Sequence, residues 1–257
     1  MTRLLSEHFD EVRQAIVGAR RILLLLDFDG TLAPIVERPE MAKLSRETLS
    51  LLARLNREPR VTTAIISGRA LFDLKQRVGM NLIYAGNHGL EIEGHGLSFE
   101  HPDLPHARPV IGRLASDLAD ALGSIDGVLV ENKGLSLSIH YRRTDDSRIA
   151  EVVRVVESAR APYAYWVDLR YGKKVLEVRP KVQWDKGKAA LWILRHLGDE
   201  GVLPVCMGDD ATDEDIFQSL PISISIKVGD EPTAARYRVP GPEEVFAILQ
   251  MICAWIE

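Results

Sequence analysis

The sequence predicts an α/β protein in which a doubly wound parallel sheet carries an inserted α+β domain with the element order αββαββ. Two observations predict the sheet: short aliphatic strand patterns alternate with helical patterns, and short links join them. The third observation concerns the middle of the chain, where strands with alternating apolar residues follow one another in pairs. We therefore expect residues 1–104 and 180–257 to form the main domain and residues 105–179 the inserted domain.

The first part of the main domain follows from aliphatic runs and helix signals. Apolar residues at helical spacing predict an amphipathic helix within residues 1–21. A buried strand is predicted over 22–26, and Ser45 begins the next helix. Further strands are predicted over 61–66 and 82–85, with a helix between them that ends near residue 78.

The remaining elements complete the predicted order. Residues 100–109, which are rich in His and Pro, indicate a linker. The inserted domain is predicted to contain a helix over 110–122, strands over 127–131 and 135–141, a helix over 147–159, and strands over 163–169 and 173–178 around a Tyr171-Gly172 turn. The main domain then continues with a helix over 184–197, a strand over 203–207, a helix over 213–220, a strand over 222–228 and a helix over 243–256.

Composition excludes several classes of protein. The 257 residues are 46% hydrophobic and 27% charged, as in ordinary globular proteins, and the formal net charge of −5 without a basic block argues against nucleic-acid binding. No apolar stretch is long enough to span a bilayer, and the N-terminus lacks the features of a signal peptide. Cys206 and Cys253 have no paired spacing, which indicates buried thiols. We expect a cytoplasmic monomer that binds neither nucleic acid nor membranes.

Asp27 and Asp29, within Asp27-Phe28-Asp29-Gly30-Thr31, directly follow the strand predicted over 22–26. Side chains two residues apart on an extended backbone point the same way, so we expect both carboxylates in one small volume. Two carboxylates this close repel each other unless a cation or a proton intervenes. An oxygen-seeking Mg²⁺ ion fits this position and would attract a phosphate group to it. The alternative interpretation is an acidic turn before the next helix.

Ligands of open α/β sheets bind at the carboxyl ends of the strands. Two further segments near predicted strand ends or helix starts carry side chains that can bind a phosphate. Ser67 either donates to a phosphate at a helix N-terminus or only caps that helix. Arg69 either is solvated or contacts the ligand as a two-bond donor. Lys186 lies early in a predicted helix, where the dipole disfavours a positive charge, so its position indicates another purpose.

The segment 207–215, Met-Gly-Asp-Asp-Ala-Thr-Asp-Glu-Asp, is an acidic group at the end of the strand predicted over 203–207. Some of these acids are helix-start residues, which the helix dipole favours. Five acids this close are hard to explain without a cation. The segment lacks the alternating ligands and terminal glutamate of an EF-hand calcium loop.

Together these segments resemble, in order and position, the four motifs of the haloacid-dehalogenase-like (HAD) superfamily of phosphotransferases: DxD, a strand-end Ser or Thr, a Lys, and GDxxxD. The resemblance narrows to the trehalose-6-phosphate phosphatases through the segments 27–35, 67–69, 86–91, 176–180 and 208–215. It covers about residues 23–226 and implies a Rossmann-like HAD core whose inserted domain is a C2-type cap. Because no synthase-like domain accompanies these motifs, we expect a stand-alone phosphatase.

The resemblance also implies a hydrolase mechanism with Mg²⁺ as cofactor and an aspartyl-phosphate intermediate. Asp27 would be the nucleophile, Asp29 the general acid and base, and Lys186 a stabilising cation. The metal residues would be Asp27, Asp29 through its main-chain carbonyl, and Asp209, with Asp213 and Asp210 in the outer shell. The residues expected to bind phosphate or sugar are Thr31, Ser67, Arg69, Asn87, His88, Glu131, Lys133, Lys173 and Glu177.

Two alternatives remain open for the substrate and the class of function. Another capped sugar phosphatase, acting on sucrose phosphate or on mannosyl- or glucosyl-3-phosphoglycerate, would share the core and differ in the cap. A non-catalytic phosphosugar-binding regulator would be expected to lack Asp27, Asp29 or Lys186, and all three are present. Each polar cap residue, taken singly, is as well explained by ordinary sheet polarity as by sugar contact.

Overall fold

The computed structural model describes residues 2–172, 174–198 and 200–256. The chain divides into two compact units. The core unit comprises Met1–Phe99 and Trp184–Glu257, and the inserted unit comprises Glu100–Gln183. The inserted unit thus begins five residues before, and ends four residues after, the limits expected from the sequence.

The elements follow one another in the predicted alternation, with additional short strands. The strands are β1 (Arg3–Leu4), β2 (Arg21–Leu26), β3 (Val61–Ile66), β4 (Ile83–Gly86), β5 (Glu91–Gly94), β6 (Leu97–Glu100), β7 (Leu129–Asn132), β8 (Leu137–His140), β9 (Val167–Gly172), β10 (Val175–Pro180), β11 (Val202–Gly208), β12 (Ile224–Val228) and β13 (Tyr237–Val239). The α-helices are α1 (Phe9–Gly18), α2 (Arg46–Leu55), α3 (Leu71–Val78), α4 (Leu104–Leu122), α5 (Ile149–Arg160), α6 (Lys186–Leu197), α7 (Glu214–Ser219) and α8 (Pro242–Ile256).

The main sheet has nine strands in the order β1-β13-β12-β11-β2-β3-β4-β5-β6. Neighbouring strands from β1 to β4 pair in parallel, and β5 runs antiparallel to β4. The chain moves outward from β2 in both directions, so the carboxyl ends of β2, β3 and β11 meet at one edge. This arrangement confirms the predicted doubly wound α/β fold and forms the edge that carries the candidate site.

Alternating leucines of β2 explain why helices cover both faces of the main sheet. Leu24 and Leu26 pack in one apolar layer with residues of α1, α2 and α8. Leu23 and Leu25 pack in the other layer with residues of α6 and α7. All four side chains are fully buried, and burial of a leucine contributes roughly 1.5–3 kcal/mol. Strand β2 is therefore fixed from both sides, which makes it a rigid support for Asp27.

Two helices of the core unit begin at side chains that cap them, Ser45 as predicted and Asp185. The Ser45 hydroxyl accepts a hydrogen bond from the Thr48 backbone N–H at 3.0 Å, which caps α2. The Asp185 carboxylate accepts one from the Lys188 backbone N–H at 2.8 Å and caps α6. A cap of this kind typically stabilises a helix by about 1 kcal/mol. Lys186 therefore occupies the first position of α6, one residue after the cap.

The inserted unit has the predicted αββαββ order. Its four strands form an antiparallel sheet in the order β7-β8-β10-β9. One face of this sheet packs Leu137, Ile139 and Leu176 against apolar residues of α4 and α5. The opposite face carries polar side chains, among them Glu131, Ser138 and Glu177, as the two-residue period predicts.

Some local expectations were wrong. Residues 104–109 form the start of α4 instead of a linker, and Pro105 lies in the first turn, where a helix needs no N–H group. Tyr171 and Gly172 are not a turn, because they pair with Leu176 and Val175 in the β9–β10 ladder. The chain therefore reverses after Gly172. The strands β1, β5, β6 and β13, of two to four residues each, were not predicted.

Two further expectations concern the cysteines and the possibility of a membrane-spanning helix. Cys206 and Cys253 are buried free thiols, as predicted. Among the described residues, no helix combines the length and the apolar character that crossing a bilayer requires.

Candidate functional site

Asp27 and Asp29 follow β2 and have different side-chain partners. Asp27 is buried, and its N–H still donates to the Met207 carbonyl of β11 at 3.0 Å. The backbone then turns, because the Leu32 N–H donates to the Phe28 carbonyl and the Gly30 N–H to the Ala33 carbonyl. The two carboxylates were expected to share one small volume; in the structure Asp27 accepts from Lys186, whereas Asp29 accepts from Arg69. The extended geometry behind that expectation ends with the strand.

Lys186 lies between two carboxylates at this edge. Its Nζ donates to Asp27 Oδ1 at 2.7 Å and to Asp213 Oδ1 at 2.8 Å. All three side chains are almost inaccessible to solvent, with exposed fractions of 2% for Lys186, 6% for Asp27 and 1% for Asp213. Gly187 permits the close packing of α6 against α7, because a Cβ atom at Gly187 would overlap the Asp215 carbonyl of α7. The position of Lys186 at the start of α6 is thus explained by two buried anions.

The acidic segment after β11 brings two more carboxylates to the same place. Asp209 follows directly after the strand, and Asp213 is held by the 3₁₀ turn Ala211–Asp213. The Asp210 backbone N–H donates to Asp213 Oδ2 at 2.9 Å. Gly30 makes room for Asp209, since a Cβ atom at Gly30 would overlap the Asp209 carboxylate. Asp27, Asp209 and Asp213 therefore converge from two strand ends.

The charges at this edge act on one another. Burial, together with the negative charges of Asp213 and Asp209, raises the pKa of Asp27 well above its ordinary value, while Lys186 opposes this change. Burial and then Asp213 raise the pKa of Asp209 to about 7. Burial lowers the pKa of Lys186, but Asp213 and Asp27 outweigh burial and raise it overall. These raised pKa values show that the carboxylates repel one another, and a bound cation would relieve this repulsion.

The residues fit a divalent cation. Asp27, Asp209 and Asp213 each offer a carboxylate oxygen, and these atoms lie within 4.8 Å of one another. Within the described chain, Asp209 Oδ1 is buried and has no hydrogen-bond partner. A buried carboxylate oxygen without a donor is costly, and a hard cation that prefers oxygen ligands would remove the cost.

Ser67 directly follows β3, and Thr31 lies in the turn after β2; both carry hydroxyl groups. The Ser67 hydroxyl accepts a hydrogen bond from the Arg69 backbone N–H at 3.2 Å, and its side chain is buried. Thr31 is also buried, and its hydroxyl has no partner among the described residues. Both hydroxyls remain able to donate to an anion.

Asn87 and His88 form the tight segment that supports the Ser67 loop. Their backbone N–H groups donate to the carbonyls of Arg69 at 2.7 Å and Ser67 at 2.9 Å. Both residues have positive φ, 49° and 59°, which is uncommon for residues other than glycine, although Asn and His adopt it more often than most. The His88 ring lies against Gly68, where a Cβ atom would overlap it.

Arg69 contacts protein groups with most of its guanidinium. It donates to both Asp29 oxygens, at 2.6 and 2.7 Å, to Asp73 at 2.8 Å and to the Pro39 carbonyl at 2.9 Å. The guanidinium also lies over the Phe28 ring. Four of its five N–H groups are thus engaged, which leaves one for a ligand.

Lys227 is a site residue that the sequence interpretation missed. This lysine on β12 is only 2% exposed, and its Nζ donates to the Asp209 main-chain carbonyl at 2.6 Å. Glu231 and Glu214 lie farther away, at 3.6 and 4.0 Å. The signal was a lysine within the apolar strand pattern Ile224-Ser225-Ile226-Lys227-Val228, where a charge requires a buried partner.

The inserted unit brings several predicted sugar-binding residues onto its polar sheet face. His140 Nε2 lies 2.9 Å from Glu131 Oε2, and Lys133 Nζ lies 3.9 Å from the same oxygen. In the ladder, Glu131 is opposite Ser138, and Ser138 is opposite Glu177. Arg179 donates a hydrogen bond to Glu177. Lys173, also predicted to bind sugar, lies outside the described residues.

Comparison with known proteins identifies relatives over most of the chain. A family model described as trehalose-phosphatase matches residues 25–243. A trehalose-phosphate phosphatase of Mycobacterium tuberculosis is 39% identical over 238 residues, covering 88% of this chain and 60% of the relative. Trehalose-phosphate phosphatase B of Arabidopsis thaliana is 36% identical over 265 residues, covering 96% of this chain and 70% of the relative. The chain therefore spans less than two thirds of the mycobacterial relative.

A solved structure supports the same grouping. The crystal structure of a trehalose-6-phosphate phosphatase related protein superimposes with a TM-score of 0.81 at 26% sequence identity. The match covers 90% of this chain and 97% of the solved one.

Proposed function

Because the chain belongs to the trehalose-phosphatase family, we propose that it hydrolyses trehalose 6-phosphate to trehalose and phosphate with Mg²⁺ as its cofactor. The observation that carries the proposal is the buried contact of Lys186 with Asp27 and Asp213, beside the unpartnered oxygen of Asp209. A cation and three acids in one buried volume suit a phosphate dianion and a metal ion together.

Asp27 acts as the nucleophile in this proposal. Its carboxylate forms a bond to phosphorus while the bond from phosphorus to the sugar oxygen breaks, which yields an aspartyl-phosphate and the free sugar. Asp29 gives the departing sugar oxygen its proton and then takes a proton from the water that attacks the aspartyl-phosphate. That attack releases phosphate and restores Asp27. The 40% exposure of the Asp29 side chain, against 6% for Asp27, is consistent with contact to a leaving group.

Lys186, Ser67 and Thr31 stabilise the transferring phosphoryl group. The Lys186 ammonium already contacts the nucleophilic carboxylate, so it can meet charge that develops on the phosphoryl oxygens. The hydroxyls of Ser67 and Thr31 are buried beside the same strand ends and can donate to those oxygens. Asn87 and His88 support the Ser67 loop by backbone hydrogen bonds and are proposed to face the substrate.

Mg²⁺ would be held by Asp27, Asp209 and the main-chain carbonyl of Asp29, with Asp213 and Asp210 in its outer shell. It would supply positive charge that neutralises the phosphoryl oxygens. The carboxylates of Asp27, Asp209 and Asp213 are close enough for a shared cation. Removal of divalent ions with EDTA should abolish turnover, and excess Mg²⁺ should restore it. Full turnover in EDTA would exclude this part of the proposal.

We assign residues 1–104 and 180–257 to catalysis and residues 105–179 to substrate recognition. The polar face of the inserted sheet supports this assignment, because Glu131, Lys133 and Glu177 carry charged hydrogen-bonding groups of the kind that bind sugar hydroxyls. Lys173 remains a predicted member of the same group. We expect the enzyme to act as a cytoplasmic monomer on a small sugar phosphate, without nucleic acid or membrane as a partner.

A phosphate-release screen tests the proposal. Trehalose 6-phosphate, sucrose phosphate, mannosyl-3-phosphoglycerate and glucosyl-3-phosphoglycerate are compared at equal concentration with Mg²⁺, with Asp27→Asn as the inactive control. We expect the highest kcat/KM with trehalose 6-phosphate. A higher value with another sugar phosphate would favour the alternative capped phosphatase. Binding of trehalose 6-phosphate without phosphate release would favour a non-catalytic regulator.

A further inference from the structure

A single peptide group connects the buried Lys227 to the acidic site. The peptide between Asp209 and Asp210 presents its C=O to Lys227 Nζ at 2.6 Å and its N–H to Asp213 Oδ2 at 2.9 Å. The C=O and N–H groups of a trans peptide lie in one rigid plane and point in opposite directions. The plane is therefore held at both ends, by the ammonium on one side and by a carboxylate of the site on the other.

The distances around Lys227 indicate which partner determines its position. Charge-assisted N–H···O bonds to carboxylates are normally about 2.7–2.9 Å long. Glu231 at 3.6 Å and Glu214 at 4.0 Å are both longer than this, whereas the Asp209 carbonyl at 2.6 Å is not. A buried lysine kept only for an ion pair would have its closest contact with a carboxylate. Here its closest contact is the main chain beside the acids.

The contacts continue from this peptide to the proposed nucleophile. Asp213 uses Oδ2 for the Asp210 N–H and Oδ1 for Lys186, and Lys186 in turn contacts Asp27. Asp209 itself belongs to the peptide that Lys227 holds, and its carboxylate has the unpartnered oxygen. A change in the orientation of this peptide would therefore displace two of the three converging carboxylates.

We propose that Lys227 is a positioning residue for the metal-binding carboxylates: it fixes the Asp209–Asp210 peptide and thereby the directions of Asp209 and Asp213. The inference rests on the proposed metal site. It assigns Lys227 no contact with the substrate, and its effect is on Mg²⁺ affinity. Partners that orient metal ligands in this way typically change metal affinity by about 10–100-fold when they are removed.

The test measures Mg²⁺ binding without substrate, by isothermal titration calorimetry and by the Mg²⁺ dependence of the thermal midpoint. In Lys227→Met, which keeps an unbranched side chain but has no donor, we expect the Mg²⁺ dissociation constant to rise about 10–100-fold. We expect kcat for trehalose 6-phosphate to approach the parent value at saturating Mg²⁺. Lys227→Gln, which retains an uncharged N–H donor group, should give an intermediate dissociation constant.

The control is Lys75→Met, which removes an exposed lysine of the core unit whose partner is Glu93 at 2.6 Å. It should bind Mg²⁺ as the parent does. Circular dichroism identifies any variant that does not fold, and if Lys227→Met fails to fold, the Lys227→Gln value carries the test. Parent-like Mg²⁺ affinity in a folded Lys227 variant would overturn the inference. A kcat that stays low at saturating Mg²⁺ would also overturn it, since Lys227 would then act on the chemical step.

The design separates this inference from the proposed function. If the parent protein does not bind Mg²⁺, the metal proposal fails. If the parent binds Mg²⁺ and the Lys227 variants bind it equally well, only the positioning role fails.

Discussion

Arg69 donates two hydrogen bonds to the carboxylate of Asp29, from Nε to Oδ2 at 2.6 Å and from Nη2 to Oδ1 at 2.7 Å. Asp73 and the Pro39 carbonyl accept hydrogen bonds from the same guanidinium. These two contacts hold the Arg69 guanidinium in place, and it in turn orients the carboxylate of Asp29. This geometry allows two roles for Arg69. It can orient the proposed acid and base Asp29, or it can bind phosphate, as the sequence predicted.

Arg69→Lys should distinguish these roles through the leaving group. Lysine cannot reproduce the two-bond contact, so Asp29 loses its orientation. A sugar needs a proton as it leaves, whereas p-nitrophenolate does not, so we expect kcat/KM to fall about 10–100-fold for trehalose 6-phosphate and little for p-nitrophenyl phosphate. Arg77→Lys is the control, because Arg77 contacts Asp73 but not Asp29. Equal losses on both substrates would assign Arg69 to the phosphate.

Asp27→Asn should abolish phosphate release while the protein remains folded. The amide cannot attack phosphorus, and it replaces a buried carboxyl group whose pKa is raised by burial and by the negative charges of Asp213 and Asp209. Lys186 keeps Asp213 as a partner at 2.8 Å. We expect a thermal midpoint in EDTA no lower than that of the parent, measured by circular dichroism. Substantial remaining turnover would mean that another group attacks phosphorus.

The metal-free protein should lose stability as pH rises from 5 to 8. Asp209 has a folded-state pKa of about 7, above its value in the unfolded chain, so the folded protein holds a proton that the unfolded protein releases. The stability that this proton provides is present at low pH and disappears as pH passes through 7, a loss on the order of 2 kcal/mol. Denaturant unfolding in EDTA measures it.

Asp209→Asn is the control for this pH dependence. The amide has nearly the same shape and does not titrate, so the free energy of unfolding should vary less between pH 5 and pH 8 than in the parent. An identical pH dependence in parent and variant would show that Asp209 is not the titrating group.

Glu131→Ala should reduce turnover of trehalose 6-phosphate selectively. If the polar face of the inserted sheet contacts the sugar, loss of this charged partner should reduce kcat/KM about 10–100-fold. The same result is expected for Lys133→Ala. A small aryl phosphate needs only the core unit and should be hydrolysed at the parent rate. Glu151→Ala, which removes an exposed acid of α5 paired with Arg148, should affect neither substrate.

Two other outcomes for Glu131→Ala have clear meanings. Equal losses on both substrates would indicate damage to the inserted unit as a whole. Parent-like kinetics on both would mean that Glu131 is an ordinary surface charge, held by His140 at 2.9 Å.

The sequence by itself determined the order of elements and the strand ends that carry the site. The aliphatic run before Asp27, the capping residues Ser45 and Asp185, and the paired strands of the inserted unit are local signals. Local signals depend only on backbone periodicity and on hydrogen bonds between near neighbours, so they can be read without a fold. Parallel strands have their carboxyl ends at one edge of a sheet, which predicts that Asp27 and Asp209 lie at the same edge.

Only the tertiary structure decided which charges are partners. The sequence did not show that the carboxylate of Asp29 would have Arg69, 40 residues away, as its partner. Lys227 contacts a carbonyl 18 residues before it, and Lys186 joins carboxylates from two different strand ends. Such contacts depend on the packing of elements that are distant in sequence. The physical reason is burial: away from water each charge must find a partner, and the packed fold alone determines which one is within reach.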